Sequence, residues 1–293
     1  MIAISLLAAA CRPGAGGASD GPAWRQGLAA WRQQRAESIA GPDGWITLVG
    51  RLWLSPGPNR FGSGEACELR LPQDRAPALA GTITLDGGRL HVKIAPGVPV
   101  LVDGAPIDER ELADDREGKP TVLSLGSLSM RVIKRQDRYA LRVKDREHPA
   151  RKTFAGLAYY PIEARLRVRA RLEPAPQGKT LPIVNVLGQI EPTPMAGTLR
   201  FTLDGAEHTL DALLEDDELF VLFKDETSGH GSYPSGRFLY APRPGPDGVV
   251  DLDFNRAFTP PCGFTDFATC PLPPKQNALP LAIAAGERYD HAH

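Results

Sequence analysis

The sequence predicts a mainly β protein: an N-terminal helix, an antiparallel β-sandwich, and a second β-rich domain. Three observations carry this reading. Short apolar runs recur along most of the chain, turn pairs such as Asp86-Gly87-Gly88 and Asp103-Gly104 separate them, and only one long stretch repeats its apolar residues at helical spacing. The 28 prolines and 30 glycines lie between those runs, as a turn-rich β protein requires and a helical bundle does not. At 293 residues the chain is long enough for two ordinary domains, and we divide it into a leader and tether over 1–20, the helix and sandwich over 21–160, and the second domain over 161–293.

The helix is expected from Ser19 or Asp20, either of which can cap it, to about Ile39, with Gly41-Pro42 as the stop. Trp24, Leu28 and Trp31 fall four and three apart on one face, which should pack on a sheet. Strand-like runs then follow at 45–54, 68–71, 82–85, 90–94, 98–102, 121–125, 127–133 and 139–143. Their spacing suggests a sandwich. In the second domain a PAPQG turn at 174–178 joins strands, a hairpin turns about Asp204-Gly205, and further strands are expected at 219–223, 238–241 and 249–254.

Thirty-four Lys and Arg against 35 Asp and Glu leave no basic excess, so a nucleic-acid partner is not expected. Locally the balance differs. Residues 130–172 carry thirteen Lys or Arg, and Arg165, Arg167, Arg169 and Arg171 alternate with Leu166, Val168, Ala170 and Leu172, placing four guanidinium groups on one strand face. Such a face can meet an anionic surface, or be offset by the acidic residues between Asp204 and Glu226; we favour the second, since complementary charge blocks pair across sheets.

Met1–Ala10 is apolar apart from Ser5 and ends in small residues before Cys11, which resembles the lipobox of a bacterial lipoprotein signal peptide. The run is too short to span a bilayer. Cys11 would be lipidated, with Arg12 to Gly17 as a flexible tether, and the expected location is the cell envelope, at the periplasmic face of the outer membrane. The membrane is then a partner through the lipid alone.

Residues 223–274 concentrate charged, aromatic, Gly, Pro and Cys residues as no other stretch does. Asp225, Thr227, Tyr233, Arg237, Asp253, Asn255 and Arg256 are the candidate ligand-binding residues: arginines and hydroxyls with few titratable bases suit recognition of a small polar or anionic ligand better than proton transfer. Two other readings stay open. An exported hydrolase would use His230 with a neighbouring serine, or the Asp225 and Asp253 carboxylates; alternatively Arg237 and Arg256 pair with Asp225 and Asp253 and merely hold the loops, as in a structural envelope protein without a small-molecule site. Cys262 and Cys270, eight apart, are read first as a disulfide, given the exported compartment, with metal ligation or free thiols as rivals. No metal site or cofactor is expected, because no Gly-rich phosphate loop, dinucleotide fingerprint or zincin helix is present.

The strings DETSG (225–229), YPSGRFL (233–239), DFNRAF (253–258), PPC (260–262), ATCPLPP (268–274), Asn277 and AGE (285–287), with GWITLVGRLWLSPG (44–57) and FGSG (61–64), resemble the domain-of-unknown-function family 1684 of bacterial and archaeal proteins. That resemblance spans roughly Trp24 to Glu287 and implies no activity. Gly50-Arg51, VPVLVDGAPI (98–107) and GSLSMRVI (126–133) resemble a forkhead-associated domain, a family that reads phosphothreonine with an Arg and a Ser-x-x-His pair. No matching Ser and His precede Ile83, so the resemblance implies a sandwich that has lost its phosphopeptide site.

Overall fold

The structure, a computed structural model, describes residues 20–116 and 118–289. The leader and the lipidation site Cys11 lie outside the described residues.

Helix α1 spans Pro22–Ala40. Gly21, not Asp20 or Ser19, occupies the N-cap, and Pro22 follows in the first turn, where its missing N–H costs nothing. Asp20 instead pairs with Arg25 at 2.6 Å on the surface. At the other end the Gly41 N–H bonds Glu37 O, where a Cβ on Gly41 would collide with that carbonyl at 2.5 Å. Trp24, Leu28 and Trp31 do share the packed face, but it meets loops near Asp253 and Phe258, far along the chain, as well as Tyr159.

Eleven strands form the sandwich: β1 Leu48–Trp53, β2 Gly57–Gly62, β3 Leu69–Arg70, β4 Gly81–Asp86, β5 Arg89–Ile94, β6 Leu101–Val102, β7 Ala105–Pro106, β8 Glu109–Glu111, β9 Leu123–Leu125, β10 Leu128–Arg135 and β11 Arg138–Asp145. One sheet has the order β1-β11-β10-β9-β6-β7 and the other β3-β2-β4-β5-β8, with every pair antiparallel except β2 and β3. Between them lies one core, including Phe61, Ile83, Val92, Leu128, Met130, Leu141 and Val143. The expected strand at 45–54 begins with a 3-10 turn at Trp45–Thr47, and β2, rich in Gly, Pro and Asn, has no apolar alternation to announce it.

The second sheet contains β12 Arg167–Pro174, β13 Thr180–Val184, β14 Ile190–Leu203, β15 Ala206–Glu215, β16 Glu218–Phe223, β17 Arg237–Pro242 and β18 Val249–Asp253. Its order is β17-β16-β15-β14-β12-β18, with β13 added to β14. Leu239 of the first edge strand and Leu252 of the last belong to the same core as Val168, Leu199, Leu210 and Val221, so the sheet is rolled. Strand β16 is buried on both faces: Leu219, Val221 and Phe223 point inside the roll, while Phe220 and Leu222 join an outer apolar cluster with Phe238 and Cys270. That outer face looks toward the sandwich.

Three of the four alternating arginines at and just before β12 have acidic partners. Arg165 bonds Asp204 at 3.0 Å, in the acidic stretch expected to offset it, whereas Arg167 pairs with Asp251 on the adjacent strand β18 and Arg169 with Asp247 at 3.4 Å, just before it.

Candidate functional site

The signature residues are brought together, and they face one another. Arg237 has no solvent exposure; period two along β17 aims it inside the roll with Leu239 and Ala241. Its guanidinium pairs with Asp225 at 2.7 Å and donates to the carbonyls of Ile283 (2.8 Å) and Ala285. Asp225 in turn accepts from the Thr227 N–H at 2.8 Å and the Thr227 hydroxyl at 2.6 Å. A second knot centres on Asp253, whose carboxylate accepts the Trp24 indole N–H at 2.7 Å and the backbone and side-chain N–H groups of Asn255 at 3.0 and 2.9 Å. Asn255 exchanges bonds with the Glu163 backbone at 2.9 and 3.0 Å, and half-buried Arg256 lies 3.8 Å from Asp253.

Two further knots lie outside the candidate ligand-binding residues. Arg35 of α1 bonds buried Glu287 at 2.7 Å and the Thr259 carbonyl at 2.5 Å, while Glu287 accepts the Thr259 N–H at 2.8 Å. Gly286 must be glycine, with φ 78° and the Ala257 carbonyl 2.3 Å from where a Cβ would stand. Asn277 accepts the Asp211 N–H and donates to the carbonyls of Asp211 and Leu222, all at 2.8 Å. These side chains satisfy loop backbone that the sheets cannot reach.

Tyr233 lies apart from both central knots, half-buried, donating to the Cys262 carbonyl at 3.1 Å and packing edge-on against Tyr289. Cys262 and Cys270 meet as expected from their spacing, but as free thiols rather than a disulfide: a hydrogen bond from the Cys262 N–H to Cys270 Sγ, 3.1 Å, joins the loop ends. The Cys270 thiol beside it holds Cys262 below the usual thiol range, while that contact and burial push Cys270 up. His230 is exposed, and Asp225 is committed to Arg237 and Thr227, so among the described residues no bond joins His230 to a serine or carboxylate side chain. Nor do three His, Cys, Asp or Glu side chains converge closely enough among the described residues to hold a metal ion.

An opening exists elsewhere. A cavity of about 450 Å³ lies between the sandwich and the outer face of the rolled sheet. Phe220, Phe238 and Tyr240 line one wall, with Phe220 and Tyr240 stacked at 4.7 Å; Trp45, Arg135 and Arg142 line the other. Cys270 and Thr269 close it from the loop, and Glu215 accepts the Tyr240 hydroxyl at 3.0 Å. Arg135 is matched, with Asp115 at 2.9 Å and Thr269 at 3.1 Å.

Arg142 is not matched. It is 94% buried, its Nε has no hydrogen-bond partner, and no described carboxylate pairs with it. The register of β1, β11 and β10 sets it between Arg51 and Arg131, so three guanidinium groups stand abreast on one sheet face, and the Arg51 Nε is also buried without a partner. Burial, then the charges of Arg135 and Arg131, push Arg142 down to about 10. Like charges directly opposite each other destabilise a sheet, and a buried unpaired ion costs more. The sequence signal for this face was alternation within SMRVIKR and YALRVKDR, two runs already inside the basic stretch.

Fold and site therefore define a two-layered β-sandwich joined to a rolled β-sheet, with a clasp of loops on the roll and a cavity lined by aromatic rings and the unpaired Arg142 between the two. Residues 152–288 match the family described as "Protein of unknown function (DUF1684)". A solved structure of an uncharacterised protein from Haloarcula marismortui is 35% identical, covering 50% of this chain and 83% of that one, with a TM-score of 0.41. Forkhead-associated domains are also similar: one with phosphothreonine-dependent interactions (25% identity, 33% of this chain and 82% of that one, TM-score 0.23), and the second such domain of a Mycobacterium tuberculosis ABC transporter (21%, 30% and 77%, 0.23). No curated protein matches the chain.

Proposed function

We propose that this protein binds a small organic anion with an aromatic or apolar body, held in the cavity between the sandwich and the rolled sheet. The observation that carries the reading is Arg142, a buried guanidinium without an anionic partner, in a cavity whose aromatic walls are Trp45, Phe220, Phe238 and Tyr240 and whose other charged groups are already engaged: Arg135 by Asp115, Glu191 by Arg116 and Glu215 by the Tyr240 hydroxyl. A carboxylate or sulfonate against Arg142 would supply the missing charge, and the stacked rings would take the apolar part. The signature contributes by shape: Phe238, Cys270 and the loop before Cys270 form part of the cavity wall, while Asp225 and Arg237 hold the 225–227 and 283–285 segments and Asp253 and Asn255 hold Trp24 and Glu163 elsewhere on the roll. No step of bond making is required of any residue, so the reading is of a binding protein.

The test uses 8-anilinonaphthalene-1-sulfonate, an aromatic sulfonate. Saturable fluorescence enhancement that falls roughly tenfold or more in affinity in Arg142→Gln, and likewise in Tyr240→Ala, supports the reading, because a charge-assisted hydrogen bond and a ring contact have been removed. Affinity unchanged in a folded Arg142→Gln variant refutes it. We further propose, from Met1–Ala10 and Cys11, that the protein is an exported lipoprotein of the cell envelope. Radiolabelled palmitate that fails to label the protein in cells, or labels Cys11→Ser equally, would overturn this.

A further inference from the structure

A second hollow lies on the same sandwich face, away from the aromatic walls. It measures about 220 Å³ and is lined by Arg131, Arg142, Lys144, Arg146, Ser129 and Asp43. Strand geometry puts these groups together: Ser129 and Arg131 are two apart on β10, Arg142 and Lys144 two apart on β11, and the register pairs Ser129 with Lys144 and Arg131 with Arg142. Four cations thus meet one carboxylate, and that carboxylate, Asp43, is already engaged by Arg146 at 3.2 Å. Lys144 spends one N–H on the Asp43 carbonyl, and the Arg131 side chain makes no hydrogen bond or ion pair with the described residues.

We infer that this hollow is a site for a divalent tetrahedral oxyanion: phosphate, sulfate, or the phosphoryl group of a small ester. The inference shares Arg142 with the larger cavity but does not depend on that cavity being filled. A monovalent carboxylate would leave two of the three net positive charges unanswered, whereas a tetrahedral dianion answers two and offers an oxygen to each of Arg131, Arg142 and Lys144, with the Ser129 hydroxyl as a neutral donor. The hollow has ample room for an ion of that size. Asp43, held by Arg146 at the rim, supplies the wall on the side of α1. Burial first, and then Arg131, lower Lys144 to about 8 against the opposing charge of Asp43, as expected where cations outnumber their counter-charge.

Calorimetric titration at low ionic strength with sulfate, inorganic phosphate and phenyl phosphate tests this. Saturable binding of sulfate and phosphate is expected, weakened roughly tenfold or more by Arg131→Gln and by Lys144→Met and retained in Lys144→Arg. Tyr240→Ala, which alters only the larger cavity, should leave sulfate binding intact, so failure of one site is told from failure of the other. Phenyl phosphate that binds more tightly than phosphate, and loses that advantage in Tyr240→Ala, identifies the source as an ester reaching both hollows; equal affinity identifies the free ion. Sulfate, which does not titrate in this range, should bind less well as pH rises through about 8, since Lys144, faced by Arg131 from β10, Arg142 and Arg146 from its own strand and its end, and Asp43 and the Trp45 ring from the turn after α1, gives up its proton there. No saturable binding of any of the three ions by the folded protein, or binding that Arg131→Gln and Lys144→Met leave unchanged, overturns the inference.

Discussion

Arg142 on β11 is the cross-strand partner of Arg131 on β10, so two guanidinium groups stand side by side on the sheet face that meets the C-terminal half. Neither is answered by a described carboxylate, and Arg142 is buried. A protein gains no stability from such a pair. In the absence of ligand, Arg142→Met should therefore raise the stability by about 1–2 kcal/mol, since an unpaired buried ion and a like-charge contact are replaced by an apolar side chain of similar length. Urea unfolding of the two proteins, fitted with a common slope, measures it.

Arg237 gives the opposite result. It is as deeply buried as any residue in the chain but is paired with Asp225 and two carbonyls. Arg237→Met strands the Asp225 carboxylate inside the roll, and a loss of about 3–5 kcal/mol is expected in the same unfolding experiment. One arginine substitution should stabilise and the other destabilise, which separates a site residue from a clasp residue without knowledge of the ligand.

Much of this could be read from the sequence. The strands flanking Asp86-Gly87-Gly88 and Asp204-Gly205 form the hairpins their turn residues demand, and the alternative that Arg237 pairs with Asp225 was legible from charge alone. The position of α1 was not, because Trp24, Arg35 and their partners Asp253 and Glu287 are separated by more than two hundred residues. Nor was the cavity. Arg131 and Arg142 read as ordinary members of a basic stretch, and only the register that sets them opposite each other, and the packing that buries Arg142, makes them unusual. Of the four alternating arginines that begin just before β12, Arg165, Arg167 and Arg169 are paired with Asp204, Asp251 and Asp247.

The cysteine loop makes a chemical prediction. Cys262 is partly exposed and held below the ordinary thiol range by Cys270, whereas Cys67 and Cys270 are buried. Among these three, iodoacetamide near neutral pH should modify Cys262 first, and Cys270→Ala should slow that reaction by removing the neighbouring thiol. Peptide mapping by mass spectrometry reads the order. Equal labelling of Cys262 and Cys67 would contradict the described geometry.

Lys144 makes a prediction about pH. Its folded value, about 8, lies below the ordinary lysine value of 10.5, so between the two the unfolded chain holds more protons than the folded one. Stability should therefore rise with pH across that window from this group: its cost is fully present below about 8 and is relieved as the proton leaves. The difference between wild type and Lys144→Met, measured in unfolding at several pH values, isolates the group from the tyrosines that titrate higher. The variant's advantage should shrink from pH 7 to pH 10.

The central claim is that Arg142 awaits an organic anion, and the Nε–H resonance of Arg142 in an arginine-selective nitrogen–proton NMR spectrum tests it most directly. Titration with 8-anilinonaphthalene-1-sulfonate should shift that resonance saturably, with the Arg237 resonance unmoved behind its Asp225 partner. An Arg142 resonance that stays in place while the dye fluoresces on the protein would contradict the account.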